Sequence, residues 1–243
     1  MSIAVIGPEK YDLQDLVCAE IALRFQPSPN AAMYLELANG EDAQFILVTS
    51  GKPRFIEVQV KGSSRPVKLS SVAQCLAHFP ERSSSGCLFE RLLSDDRIVL
   101  LVMSGRCDDA AAHYVVGDDW EIDHEGKRSF TRREARALLA EFGSVDQKLF
   151  KPTKLRSARR ARCRQIGSSV KVDAVRRAAK RLFLVEFATD SAVRSRCEGL
   201  LRTSYRIPDD YVGDVLAEVV RSSSALARSY PLLLSKTYPR NLN

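Results

Sequence analysis

Residues 55–62 read FIEVQVKG. Alternation of this kind is the mark of a β-strand. Successive side chains on a strand point to opposite faces, so Ile56, Val58 and Val60 share one face and Glu57, Gln59 and Lys61 the other. A carboxylate, an amide and an ammonium in a row on an otherwise apolar strand have two readings. The strand lies at an edge or is half exposed and simply keeps one face wet, or the wet face carries chemistry.

The neighbouring sequence builds outward from that strand. AQFILVTS (43–50) reads as a second strand, and GKPR (51–54) as the link that makes the two a hairpin. YDLQDLVCAEIALRF (11–25) is an amphipathic helix, broken by the two prolines of QPSPN (26–30). A helix is expected near Ser70–Phe79, then a flexible ERSSSG loop (81–86). RIVLLVMSG (97–105) is a continuous apolar run of buried-strand length. TRREARALLAEF (131–142) opens on a capping box, Thr131 with Glu134 three residues on, and is a helix. LFLVEFA (182–188) fits a strand and a buried helix segment equally well. Asp190 is expected to cap a helix reaching Arg202, and Pro208, Asp209 and Asp210 to open the next.

The chain has 243 residues, 45% hydrophobic and 28% charged, a globular composition. No apolar run is long enough to span a bilayer, and MSIAVIGPEK lacks the features of a signal peptide. The expectation is a cytoplasmic protein with no membrane association. The six cysteines form no CxxC pair and no zinc spacing, and read as reduced core thiols. His78, His113 and His124 are scattered, and the acidic stretch from Asp108 to Glu125 fits no EF-hand spacing.

Charge divides the chain. Residues 1–150 hold 17 Lys and Arg against 22 Asp and Glu, a net of −5; residues 151–243 hold 20 against 8, a net of +12. Such asymmetry points to a polyanion as partner of the basic part. Arg159, Arg160, Arg162 and Arg164, with Arg176 and Arg177 further on, are the candidate nucleic-acid contacts.

In an antiparallel hairpin the start of one strand lies opposite the end of the next. GEDAQF (40–45) therefore sets Asp42 near Gln59 and Lys61, with Glu41 and Glu57 close by. One or two carboxylates, an amide oxygen and an ammonium suit Mg²⁺-dependent phosphodiester hydrolysis, because Mg²⁺ takes oxygen ligands and keeps several waters.

An acid before one strand, followed on the next by (D/E/Q)-x-K, resembles the PD-(D/E)XK nuclease superfamily. The resemblance is to the double-stranded DNA endonuclease domain of bacterial anti-phage effectors, those associated with CD-NTase signalling or joined to STAND or HerA-like ATPases. It rests on YDLQDLVCAEIAL, GEDAQFILV, FIEVQVKG and RIVLLVMSG, within about the first 105 residues. It implies an α/β fold, a restriction-endonuclease-like core with a central mixed sheet flanked by helices, over residues 1–150. A basic, mainly helical region would follow over 151–243, as an accessory region or as part of the same domain.

The resemblance makes Asp42 the principal metal carboxylate, Gln59 the second ligand, Lys61 the catalytic lysine and Gln14 a further residue near the site, with Glu41 and Glu57 as supplementary candidates. Gln59 departs from the superfamily pattern, in which most members have Asp or Glu there, although this branch resembles others that use glutamine. The resemblance also implies Mg²⁺ (or Mn²⁺) as cofactor, double-stranded DNA as substrate, anti-phage defence as context, and activation by oligomerisation or by a separate ATPase or sensor subunit. The alternative is an inactive nuclease-like fold that binds DNA or a partner.

Overall fold

The computed structural model describes residues 8–25, 32–35, 43–49, 52–62, 65–79, 86–94, 96–117, 128–150, 153–227 and 232–233. In chain order the elements are α1 (Pro8–Phe25), β1 (Ala32–Leu35), β2 (Ala43–Thr49), β3 (Lys52–Lys61), α2 (Leu69–Leu76), α3 (Leu88–Leu92), β4 (Arg97–Met103), α4 (Asp109–Ala112), α5 (Arg132–Ser144), α6 (Arg156–Ser169), α7 (Val172–Ala179), β5 (Leu182–Val185), α8 (Asp190–Thr203), α9 (Asp209–Ala227) and β6 (Leu232–Leu233). QPSPN, residues 81–85 of the expected loop, and Asp118 to Glu125 lie outside the described residues.

Among the described residues, six strands form one mixed sheet in the order β5-β4-β3-β2-β1-β6. β2 pairs antiparallel with β1 and β3, whereas β3, β4 and β5 run parallel. The sheet is covered on both sides. Ile56, Val58 and Val60 of β3, with Ile98, Leu100 and Val102 of β4, pack in one core with Leu13, Val17 and Ile21 of α1 and residues of α8 and α9. Val99, Leu101 and Met103 face a second core built from α2, α3, α5, α6 and α7. Burial on both faces is why β4 is an unbroken apolar run.

This arrangement overturns the expectation of a wet strand. β3 is interior to the sheet, and Glu57 and Gln59 are each only 1% exposed. The polar face of β3 lies on the side of the second core, since Glu57 pairs with Val99 and Gln59 with Leu101 in the parallel ladder. The hairpin also differs from expectation. The ladder extends to Thr49 opposite Lys52, so Lys52, Pro53 and Arg54 are already strand.

The basic region joins the same unit. Crossing over through α5, α6 and α7, the chain returns as β5 beside β4, which resolves the ambiguous LFLVEFA as a strand. α8 and α9 then pack on the α1 side. The capping box forms as expected, Glu134 N donating to Thr131 Oγ1 at 3.2 Å and Thr131 N to Glu134 Oε2 at 2.7 Å. The cap of α8 is Thr189, whose hydroxyl accepts from Ala192 N at 3.3 Å; Asp190 occupies the first turn, where a carboxylate suits the helix dipole.

α5 and α6 meet at Gly143 and Gly167. A Cβ placed on Gly167 would stand 2.7 Å from the Gly143 Cα, inside any real contact distance. Gly167→Ala must push the two helices apart, and is expected to destabilise the fold by about 1–3 kcal/mol in urea denaturation. Ala at Gly199, where nothing lies within 4 Å of an added Cβ, is the control and should not destabilise.

Candidate active site at the carboxyl end of the parallel strands

The polar face of β3 changes character along its length. At Glu57 it is a closed ion pair. Arg91 of α3 donates to Glu57 Oε2 at 2.7 Å and Arg97 of β4 to Oε1 at 3.1 Å. Each carboxylate oxygen is therefore held by an arginine, and Gln44 of β2 sits directly opposite in the ladder. A buried carboxylate tolerates its lost hydration only with such partners.

Two residues on, Gln59 is equally buried, but its Oε1 has no hydrogen-bond partner among the described residues. A buried amide oxygen without a partner is costly. Lys61 closes the strand, partly buried, and forms no ion pair with a described residue. The β2–β3 ladder ends at Ala43 opposite Val58, one residue short of Gln59. Asp42 and Glu41, which precede Ala43, lie outside the described residues.

Because β3, β4 and β5 are parallel, their carboxyl ends share one edge, the usual ligand-binding edge of such sheets. Past the strands, Val67 N donates to Arg106 O at 2.7 Å and Ala188 N to Met103 O at 3.0 Å, so the chain segments after all three strands are laced together. Lys68 and Arg106 are exposed there, as is Phe187, which has a positive φ of 53°. None of these three stood out in the sequence. Arg106 and Lys68 belong to the acidic half of the chain, and a single cation carries no pattern.

Gln14 is buried on α1, the helix that covers the opposite face of the sheet from Gln59. The nominated arginines do not converge on the edge. Arg159 is buried, its guanidinium 5.3 Å from the Phe79 ring centre. Arg160 donates to Gly143 O at 2.5 Å, and Arg162 to Glu90 Oε1 at 2.5 and 2.9 Å. Arg164 and Arg177 are exposed, and Arg176 lies 3.8 Å from Asp173. Arg176 and Arg177 fall in the last turn of α7, which leads into the amino end of β5, the opposite end of the sheet from Lys61.

All six cysteines are free thiols, five of them buried. Burial, reinforced by the Glu186 carboxylate, pushes the Cys107 thiol up to about 12, and burial does the same for Cys163 and Cys197. Among the described residues no three His, Cys, Asp or Glu side chains converge as a metal-holding group. No described helix is long and apolar enough to cross a membrane.

No family model and no curated protein matches this chain. Among solved structures, the Cap4 SAVED/CARF-domain containing receptor of Moraxella osloensis shares the fold, with a TM-score of 0.50 at 9% identity over 94% of this chain and 45% of its own. Two structures of the Acinetobacter baumannii Cap4 SAVED/CARF-domain containing receptor, one with the cyclic trinucleotide 3'3'3'-cAAA, match with a TM-score of 0.48 at 12% and 13% identity. They are covered over 44% and 45% of their length, against 93% of this chain. This chain thus spans less than half of the receptors it matches.

Two outcomes follow from the geometry. Glu57→Gln strands two arginines against one amide, and should lower unfolding free energy by about 3 kcal/mol or more, read by urea denaturation. At pH 8, far below a thiol value of about 12, Cys107, Cys163 and Cys197 should resist iodoacetamide in the folded protein and react once it is unfolded, as mass spectrometry would count.

Proposed function

We propose that this chain is a metal-dependent endonuclease that hydrolyses phosphodiester bonds of double-stranded DNA, with its site at the carboxyl end of β3. The observation that carries this reading is the buried Oε1 of Gln59, which has no hydrogen-bond partner among the described residues and lies two residues before Lys61 on β3. The mixed sheet flanked by helices agrees with the core that the sequence resemblance implies. We place the activity in anti-phage defence, as the same resemblance implies.

An amide oxygen is a hard, neutral donor of the kind Mg²⁺ and Mn²⁺ accept, so Gln59 fits a metal ligand. Asp42 supplies the anionic ligand in this reading, with Glu41 as the supplementary carboxylate. When bound, the metal polarises the phosphate and lowers the pKa of an attacking water. Lys61 holds that water and the non-bridging phosphate oxygens through its ammonium, stabilising charge as it develops. Glu57 keeps its role as the anchor of Arg91 and Arg97, because neither of its oxygens is free for a cation. Gln14 lies on the helix behind the sheet and is assigned no direct step.

The chain would be switched on by oligomerisation or by a separate ATPase or sensor subunit. Its fold likeness to a receptor, and the cyclic trinucleotide bound by the Acinetobacter baumannii receptor, raise a second reading, in which this region binds a cyclic oligonucleotide and does not cut.

Plasmid cleavage by the purified chain separates the readings. Cutting that requires Mg²⁺ or Mn²⁺, stops in EDTA and falls at least 100-fold in Asp42→Ala and in Lys61→Ala supports the endonuclease. Absence of cutting, with saturable calorimetric binding of a cyclic trinucleotide, supports the receptor. Salt-sensitive DNA binding without cutting, kept in both variants, supports an inactive DNA-binding fold.

A further inference from the structure

Phe187 follows β5 at the carboxyl edge of the sheet and has a φ of 53°. In this left-handed region the Cβ of an ordinary residue crowds the backbone, and glycine or asparagine is the unstrained choice. Three backbone hydrogen bonds fix the conformation: Phe187 N to Gly105 O at 3.5 Å, Ala188 N to Met103 O at 3.0 Å, and Thr189 N to Phe187 O at 2.7 Å. Phe187 is 51% exposed, so it gains little of the burial that stabilises a core phenylalanine. Backbone and solvent both disfavour this residue here. Strain of this kind, at a non-glycine position, collects at functional sites.

The surroundings indicate what the ring meets. Lys61 pairs with Met103 on one side of β4, and Ala188 bonds Met103 on the other. Lys61 and Phe187 are therefore about two strand spacings apart, roughly 10 Å. Exposed Arg106 and Lys68 lie just beyond, joined through the Val67 N to Arg106 O bond. Two nearby acids are engaged by backbone amides, Glu186 by Cys107 N at 2.6 Å and Asp108 by Ala111 N at 2.9 Å. Asp109 and Asp190 are exposed on the same edge. An exposed aromatic ring with cations beside it suits a ligand that offers both phosphates and flat bases.

We propose that Phe187 is a substrate-contacting wedge. Its ring stacks at a base step of duplex DNA whose phosphates rest on Arg106 and Lys68, next to the phosphodiester presented to Lys61. The inference rests on the endonuclease reading. It adds a contact that the arginine-rich helices do not supply, and an aromatic wedge of this sort unstacks the step it enters.

The test compares the full chain with Phe187→Asn and Phe187→Trp. Melting temperature is measured first, then binding of a duplex carrying 2-aminopurine, in EDTA so that the duplex stays intact. Asparagine relieves the backbone and should raise Tm by about 2–4 °C. It should also weaken duplex binding by about tenfold or more and remove the rise in 2-aminopurine fluorescence that marks an opened step. Tryptophan should keep both. A higher Tm in Phe187→Asn with unchanged binding and fluorescence overturns the wedge while the endonuclease reading stands. A lower Tm makes Phe187 a structural residue and also overturns it. A wild-type chain that neither binds nor cuts duplex DNA with Mg²⁺ or Mn²⁺ removes the endonuclease reading and the wedge together.

Discussion

Glu57 is a carboxylate on an interior strand, sealed from water on both faces of the sheet. An ionised group in that position is tolerated only when its charge and lone pairs are met. Arg91 and Arg97 meet them, and in doing so tie α3 and the start of β4 to β3. Arg181, at the entry to β5, completes the knot. It donates to Arg97 O at 3.0 Å, Leu92 O at 2.8 Å and Ser94 O at 3.1 Å, so the turn between α3 and β4 and the entry to β5 are fixed together. The parallel half of the sheet, whose strands are distant in sequence, is registered by these arginines as much as by its ladder.

The same device recurs on the opposite face. Glu20 of α1, almost fully buried, is bonded by Arg24 at 2.8 Å and by Arg196 of α8 at 2.8 and 2.9 Å, which joins the first helix to α8. Arg128 donates to Leu182 O at 2.6 Å and Tyr114 O at 2.9 Å beside the Phe183 ring, and burial lowers its pKa to about 10. Some of the basic residues of this chain are thus used inside the fold, while others, such as Arg164 and Arg177, stay exposed. A run of arginines in the sequence signals a polyanion partner only to the extent that the fold leaves the guanidinium groups in solvent. For Arg159, packed on Phe79, it does not.

Against this background of satisfied charge, Gln59 stands apart. Glu57 and Gln59 occupy equivalent, equally buried positions on one strand face, yet among the described residues one has two partners and the other has none for its oxygen. A buried amide oxygen left without a partner carries a desolvation cost, which the cation proposed for this site would offset. The polar face of β3 thus begins at a closed ion pair and runs through buried Gln59 to partly buried Lys61, at the carboxyl edge shared with β4 and β5.

Periodicity alone determined the local elements: the alternation of β3, the apolar run of β4, the capping box of α5 and the acid-rich first turn of α9. These depend on side chains within one or two turns of each other, so a linear reading captures them. It also determined that Glu57, Gln59 and Lys61 share a face. What that face meets was decided by the tertiary structure, because the parallel neighbour β4 and the covering helices, from α2 to α7, come from other parts of the chain. Burial turned an expected wet strand into an interior one and split its three polar residues into an ion pair, an amide with no partner for its oxygen among the described residues, and a partly exposed lysine. The left-handed backbone of Phe187, and the gathering of Arg106 and Lys68 beside it, are likewise products of strands meeting at one edge, where no sequence spacing links them.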